Sequence, residues 1–432
     1  VTVAEVLNRC SGRKLTSLDL MEIDHAIAGC VISGNVRRSA RMSIKNWADA
    51  DIFDFITCKA DHASHWSTNI SVEIDADFHF ALAGGDNTAA HQKALDVYEW
   101  VVDGMIANGE PGFWNAALAS DGEKAALCPN PCGEIGLEEW EPCCLGHINL
   151  AHFGTDLAGA TEASRLMARF LLRATFADTD DPRQRVVVDR NRRIGVGILG
   201  YQEWGAAHGF RYSEIPTSET MGVKLFMLAD EARRAGRSYA KELGIPAPIK
   251  TTAVAPTGSI SMLPGVTAGI HPIYARHFKR RIRYADNDPA IERHLGAGRH
   301  VEPCQYTANT SVVTFVARDT ILDHYAEHLI EQADEISVAD MLRTQSFVQE
   351  NFADNAVSFT VNLSPETSRS ETACALIAFL PELKGTTVMV DGSRPQAPFE
   401  RIDRQTYEHL TDGTSEASQA MDDCSTGACP VR

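Results

Sequence analysis

"CPNPCGEIGLEEWEPCC" spans Cys128 to Cys144 and holds four of the chain's 11 cysteines together with Glu134. If the thiols bind metal, the chain is built around a zinc-stabilised module. If they do chemistry, the stretch is a loop inside a larger fold. Zinc sites take paired cysteines a few residues apart. Cys128 and Cys132 fit that spacing, whereas adjacent Cys143 and Cys144 do not, because neighbouring side chains rarely converge on one tetrahedral ion. The other reading starts from Asn130, Cys132 and Glu134, which alternate as N-x-C-x-E. In an extended segment, residues two apart share a face. An amide, a thiol and a carboxylate then stand together: one to hold a hydroxyl, one for electron or hydrogen transfer, one as base. Cys143 follows 11 positions after Cys132 and can approach it across a turn.

Outward from this stretch, the 432 residues are enough for two to four domains or one large barrel. The apolar and charged fractions, 44% and 23%, are those of an ordinary globular chain. No apolar run approaches the length of a membrane span. No secretory leader is visible, and the chain opens without Met inside a helical pattern, which reads as a processed product or a piece of something longer. A formal charge of −18 disfavours general nucleic-acid binding. The basic clusters "NVRRSAR", "DRNRR" and "RHFKRRIR" suit either a small nucleotide's phosphates or ordinary ion pairs. An odd number of irregularly spaced cysteines suits a reducing cytoplasm with working thiols.

Periodicity predicts helices over residues 14–30, 89–108, 160–176, 217–243 and about 337–351. "SGNVRRSARMSI" reads as a loop entering a strand, and "TNISVEID", "TSVVTFVA" and "AVSFTVNL" read as strands. "TTAVAPTGSISML" reads as a strand, a loop and a new start. The alternation predicts an α/β fold with largely parallel strands. Residues 1–411 read as the folded part, and residues 412–432 as a flexible tail of small polar residues. The tail carries a second thiol pair, Cys424 and Cys429. A dithiol on a mobile arm can enter a site, exchange with a disulfide and leave.

Two motifs carry less than their patterns suggest. "GVGILG" (Gly195, Gly197, Gly200) matches a dinucleotide fingerprint, but the preceding "DRNRRI" cannot be a strand buried on both faces. Close packing of a helix against a neighbour is the simpler reading. "HYAEH" (His324, Glu327, His328) matches an inverted zinc-protease pattern, but five residues specify little, and an amphipathic surface helix accounts for them.

"NPCGEI", the trailing "EPC", "PTGSIS" and the terminal "CSTGACPVR" together resemble ribonucleotide reductases. "GNVRRSA", "NGEPGFWN", "RNRRIGVGILG", "RIRYADNDP" and "DNAVSFTV" extend the resemblance in the family's order from about residue 14 to residue 432. It is closest to the adenosylcobalamin-dependent class, within it to the monomeric ribonucleoside-triphosphate reductases. Oxygen-dependent relatives carry a C-terminal tyrosine pair, whereas Tyr407 is the sole tyrosine after residue 330. The anaerobic class needs a C-terminal glycyl-radical motif, whereas Gly427 lies in the cysteine tail.

The resemblance implies part of a ten-stranded α/β barrel with an inner finger loop carrying Cys132, and adenosylcobalamin as cofactor. Cys132 would carry a thiyl radical that takes the 3′ hydrogen of the ribose. Glu134 would accept the 3′-hydroxyl proton, Asn130 would hold that hydroxyl, and Cys143 would be one of two reducing thiols. Pro256, Thr257, Gly258, Ser259, Ile260 and Ser261 would bind substrate phosphates and open a helix. Gly34, Asn35, Val36, Arg37, Arg38, Ser39 and Ala40 would form a specificity loop answering a deoxynucleoside triphosphate effector. Cys424 and Cys429 would re-reduce the site and be reduced by thioredoxin or a similar dithiol.

In the family, the partner of Cys143 lies well before the "GNVRRSA" loop. Cys30 matches no family redox cysteine and is expected to pack instead. The chain is therefore expected to lack the family's first strands and one active-site thiol, and to need an N-terminal complementing chain. Neither membrane nor direct nucleic-acid binding is expected. The alternatives are a zinc-stabilised binding module or metallohydrolase, and an inactive nucleotide-binding remnant.

Overall fold

The computed structural model describes residues 2–411 except residues 31, 34–36, 39, 62–63, 66, 86, 124, 180, 306–308 and 392–395. Two sets of parallel strands organise it. In the first set, β1 (Arg41–Asn46), β2 (Thr68–Ile74) and β3 (Gly112–Asn115) lie side by side. In the second, β4 (Leu145–Asn149) pairs with β5 (Gly195–Leu199), and β6 (Thr360–Leu363) with β7 (Gly385–Val390). The extended segment 251–255 joins these two pairs through parallel bridges, Val196 to Thr252 and Val254 to Val357. The sets meet where β7 runs antiparallel to β3, at Gly385 opposite Trp114 and Thr386 opposite Phe113.

The order is thus β1, β2, β3, β7, β6, segment 251–255, β5, β4, an arc of an α/β barrel. Among the described residues, no strand pairs with the outer edge of β1 or of β4. Glycine is required at the seam, since a Cβ on Gly112 would lie 2.6 Å from the carbonyl oxygen of Thr386.

The outer layer is helical: α1 (Thr88–Asn108), α2 (Leu157–Ala174), α3 (Pro182–Asn191), α4 (Glu219–Leu243) and α5 (Val338–Asn351). Their ends are chemically marked. The Asn87 side chain accepts from the amides of Ala89 and Ala90 to start α1, and Gly109, at φ 85°, ends it in the left-handed conformation. Ser218 caps α4, and Gly244 at φ 68° ends it. Strand β2 alternates as its sequence requires, burying Ile70, Val72 and Ile74 in the same core as Val97, Val101 and Met105 of α1. Each such side chain contributes about 1.5–3 kcal/mol. Helix α2 packs on α4, and the buried Ser164 hydroxyl donates to the carbonyl of Leu228 at 2.7 Å.

Several expectations need correction. "TSVVTFVA" (310–317) is a strand as expected, within Thr310–Arg318, but it lies outside the parallel arc. It pairs antiparallel with His277–Ala285 and His300–Pro303, in a sheet completed by Phe399–Arg401. Period-two alternation cannot say which sheet a strand joins. "HYAEH" is not a helix: 3-10 turns at Thr320–Asp323 and Glu327–Leu329 are separated by extended Ala326, so its histidines share no helical face. "GVGILG" covers strand β5 after α3; Gly195 and Gly197 admit side chains of β4 and of the finger, whereas Gly200 lies against Ala151 in the short helix Leu150–Phe153. Cys30, expected to pack, is exposed. Among the described residues no helix is long and apolar enough to cross a membrane.

Candidate active site

The cysteine-rich stretch folds as a finger. Cys128–Pro129 pairs antiparallel with Gly136–Leu137, and residues 130–135 turn between them. Gly133 takes φ 86°, a conformation that favours glycine, and its amide donates to the Asn130 carbonyl at 2.8 Å. The Asn130 side chain locks the turn: Oδ1 accepts from the Ile135 amide at 3.1 Å and Nδ2 donates to Glu134 Oε1 at 3.0 Å. Asn130 and Glu134 therefore meet across a turn, not along an extended strand. Cys132 sits exposed at the tip between them.

Both sides of the barrel hold the finger. Asn69 of β2 donates to the Pro131 carbonyl at 2.8 Å, and the Ala356 amide donates to the Glu134 carbonyl at 2.8 Å. The Glu134 side chain is 1% exposed, and its Oε2 is buried without a hydrogen-bond partner. Burial pushes its carboxyl above the usual range, against the lowering effect of the Asn130 amide. The product is a buried carboxylate with raised proton affinity and one unengaged oxygen.

The other cysteines of the stretch have separate surroundings. Cys143 is exposed and lines a cavity of about 230 Å³ with Glu141, Thr175, Gln184 and Arg193. Cys144 is half-buried and donates to the Leu171 carbonyl of α2 at 3.6 Å, and burial raises both its thiol and that of Cys128. Among the described residues, no three His, Cys, Asp or Glu side chains are placed to share a metal ion.

Below the finger lies a charge network whose acidic members, Glu123, Glu138 and Glu141, the sequence reading did not single out. Arg193 has 1% of its side chain exposed and reaches Glu123 at 2.6 Å and Glu141 at 2.9 Å. Lys250 meets Glu123 at 3.0 Å, and Asn191 bonds Glu138 at 2.9 Å and Glu141 at 3.1 Å. Arg190 pairs with Glu138. "DRNRR" thus supplies ion pairs to the segment that leads to Cys143. "RHFKRRIR" is a strand of the antiparallel sheet, where Lys279 and Arg281 pair with Glu400.

The Pro256–Ser261 loop follows the bridging segment 251–255. Thr257 stands at φ 51°, and its hydroxyl oxygen accepts from the Gly269 amide at 2.6 Å, stapling the loop shut. A Cβ on Gly269 would lie 2.9 Å from the Ala255 carbonyl oxygen. Ser259 and Ile260 are exposed, whereas Ser261 is buried. The helix expected here is only a three-residue 3-10 turn, Ile260–Met262. Of the proposed specificity loop, Gly34, Asn35, Val36 and Ser39 lie outside the described residues, Arg37 and Arg38 are described in backbone only, and Ala40 is exposed. Cys424 and Cys429 also lie outside the described residues.

Comparison with known proteins adds to this geometry. The family described as ribonucleotide reductase, barrel domain, matches residues 85–251 and 249–389. A Mycobacterium phage D29 protein, provisionally named an adenosylcobalamin-dependent ribonucleoside-triphosphate reductase, is 44% identical over all of this chain and 66% of its own length. A Levilactobacillus brevis protein named for the same activity is 31% identical over all of this chain and 61% of its own length. A crystal structure of a B12-dependent, class II ribonucleotide reductase superposes with a TM-score of 0.76 at 29% identity, over 95% of this chain and 58% of that one. The alpha subunit of an Actinobacillus ureae class Id enzyme shares the fold, with a TM-score of 0.63 at 16% identity over 87% of this chain and 76% of its own. The chain thus spans less than two thirds of the length of the curated relatives.

Proposed function

The chain belongs to the ribonucleotide reductase family, and on that premise we propose that it carries the reducing site for ribonucleotides, with triphosphates as substrate. The observation that carries the proposal is the buried Asn130–Glu134 pair, with Oε2 unengaged, beside an exposed thiol at the finger tip. Adenosylcobalamin, when bound, supplies the radical. The residues fit such a cofactor, because the thiol it must reach is exposed while Cys128 and Cys144 are half-buried.

A radical on Cys132 Sγ takes the 3′ hydrogen, forming S–H and leaving the ribose with the unpaired electron. Glu134 Oε2 accepts the 3′-hydroxyl proton, for which its raised proton affinity suits it. Asn130 gives one Nδ2 hydrogen to Oε1, which fixes the carboxylate, and with the second holds the 3′ hydroxyl. Reduction takes two electrons and two protons from two thiols. The 2′ C–O bond breaks, water leaves, hydrogen replaces oxygen at C2′, and a disulfide forms; Glu134 then returns the proton to the 3′ oxygen and Cys132 returns its hydrogen to C3′, which restores the thiyl radical. Cys143 is one of these thiols. The Pro256–Ser261 loop faces the phosphates with backbone amides and the exposed Ser259 hydroxyl.

Cys424 and Cys429 return electrons to the spent disulfide and take them from thioredoxin or a similar dithiol, which sets the protein in the cytoplasm. Gly34–Ala40 answers a deoxynucleoside triphosphate effector. The gap between β1 and β4 suits strands from a complementing segment or chain.

The test uses the full-length protein with adenosylcobalamin and dithiothreitol. Cys132→Ser should abolish formation of deoxycytidine triphosphate and leave CTP binding unchanged. Turnover by that variant would overturn the assignment.

A further inference from the structure

Strand β4 has two faces. Gly146 lies against Met167 and Leu171 of α2, and Ile148 belongs to the main core, so that face meets the helical layer. Leu145, His147 and Asn149 occupy the opposite face, toward the lumen. A Cβ on Gly195 would meet Leu145 at 2.3 Å and the finger's Ile135 at 3.1 Å. A Cβ on Gly197 would fall 2.5 Å from His147 Cδ2, 2.9 Å from its Nε2 and 2.8 Å from the Ala253 carbonyl oxygen. Glycine at 197 therefore leaves the slot in which the imidazole lies.

The register fixes the height of that slot. Leu145 pairs with Gly195 and His147 with Gly197, so the ring sits one strand repeat, about 7 Å, beyond the finger's Ile135 contact. It is level with Ala253, three residues before Pro256, the start of the phosphate-facing loop. His147 Nε2 is buried without a hydrogen-bond partner, and so is Asn149 Oδ1 on the same face. A buried polar atom left unpaired costs about 1–3 kcal/mol, and such atoms in a lumen mark where a ligand's polar groups come. Burial holds the imidazole near a pKa of about 4, so the ring is neutral at physiological pH, with one nitrogen donating and one accepting.

We propose that His147 is a substrate-contacting residue of the lumen, its Nε2–H donating to the first phosphate of the ribonucleotide between the finger and the Pro256–Ser261 loop. This rests on the function proposed above. A neutral donor suits a phosphate that the loop's amides also hold, because it adds a hydrogen bond without burying a further charge.

The experiment measures equilibrium binding of CTP and of cytidine to the full-length protein, alongside CTP reduction. His147→Ala should weaken CTP binding at least tenfold and leave cytidine binding unchanged, and His147→Gln should restore CTP binding to within about threefold. Unchanged CTP binding by a folded His147→Ala protein overturns the proposal, and equal weakening of CTP and cytidine overturns the phosphate contact. If His147→Ala does not fold, the wild-type Nε2 resonance decides: it should shift on addition of CTP, and no shift overturns the proposal. The reading on which it rests fails separately, by absence of CTP reduction in the wild-type protein while His147-dependent CTP binding persists.

Discussion

Asn130 reaches across the finger turn to Glu134 Oε1 at 3.0 Å and leaves the second carboxylate oxygen, buried, with nothing to bond. A carboxyl whose folded pKa is raised binds its proton more tightly in the folded state than in the unfolded one. Ionising it therefore costs stability as pH rises from the ordinary glutamate range through the raised folded value. Glu134→Gln removes that cost while its carbonyl still accepts from Asn130. We expect no reduction of ribonucleotide, with a melting temperature at pH 7.5 equal to or above that of the parent. A melting temperature several degrees lower would show that ionised Glu134 stabilises the fold.

Arg193 lies between Glu123 and Glu141, with about a hundredth of its side chain exposed. Arg193→Met leaves both carboxylates buried without their main partner, which costs about 3–5 kcal/mol. Urea unfolding at neutral pH measures it. Adding Glu123→Gln and Glu141→Gln should recover a large part, because the penalty is uncompensated charge and not lost volume. A triple variant as weak as the single one would refute that account.

The burial that depresses His147 to about pH 4 makes a pH prediction. The unfolded ring takes a proton near pH 6.5 and the folded ring does not, so the unfolded state binds more protons between those values. The stability due to this group is complete above about pH 6.5 and falls as pH drops toward 4, by up to about 3 kcal/mol. His147→Gln cannot titrate, so its unfolding free energy should vary less between pH 7 and pH 4.5 than the parent's. Parallel pH profiles for the two would contradict the burial.

Thr257 accepts from the Gly269 amide at 2.6 Å and closes the loop whose backbone we assign to phosphate. Thr257→Val keeps the side chain's shape and removes the acceptor, leaving a buried amide unpaired at a cost of about 1–3 kcal/mol. Raised KM for CTP with a smaller change in kcat is expected. An unchanged KM would mean that the staple does not shape the phosphate site.

Much of the barrel was legible because its elements carry local signals. Strand β2 alternates, and α1 is bracketed by Asn87 and Gly109. The finger residues were legible as a motif, but their geometry was not. An extended reading puts Asn130 and Glu134 along one face, whereas the turn at Gly133 makes them touch. Arg190, Arg192 and Arg193 read alike in sequence, yet only the path of the chain after α3 places Arg193 beneath the finger between two acids. His147 carries no signal of its own, because the slot it fills is made by Gly197 of another strand. Thr310–Arg318 reads as any half-buried strand, and its antiparallel partners are set by the long hairpin that precedes it.

The arc left open between β1 and β4 has a mechanical consequence. The bore of a closed barrel is fixed by strand number and stagger. Here the two strand sets share a seam of two residue pairs between β3 and β7, and the far side is unjoined among the described residues. The helical layer ties the same two sets together outside that seam, where Tyr98 of α1 donates to the Ala373 carbonyl and Arg369 pairs with Glu99 and Asp103 of α1. Strands that bridged the open side would fix the width of the lumen, a dimension that no side chain lining it sets.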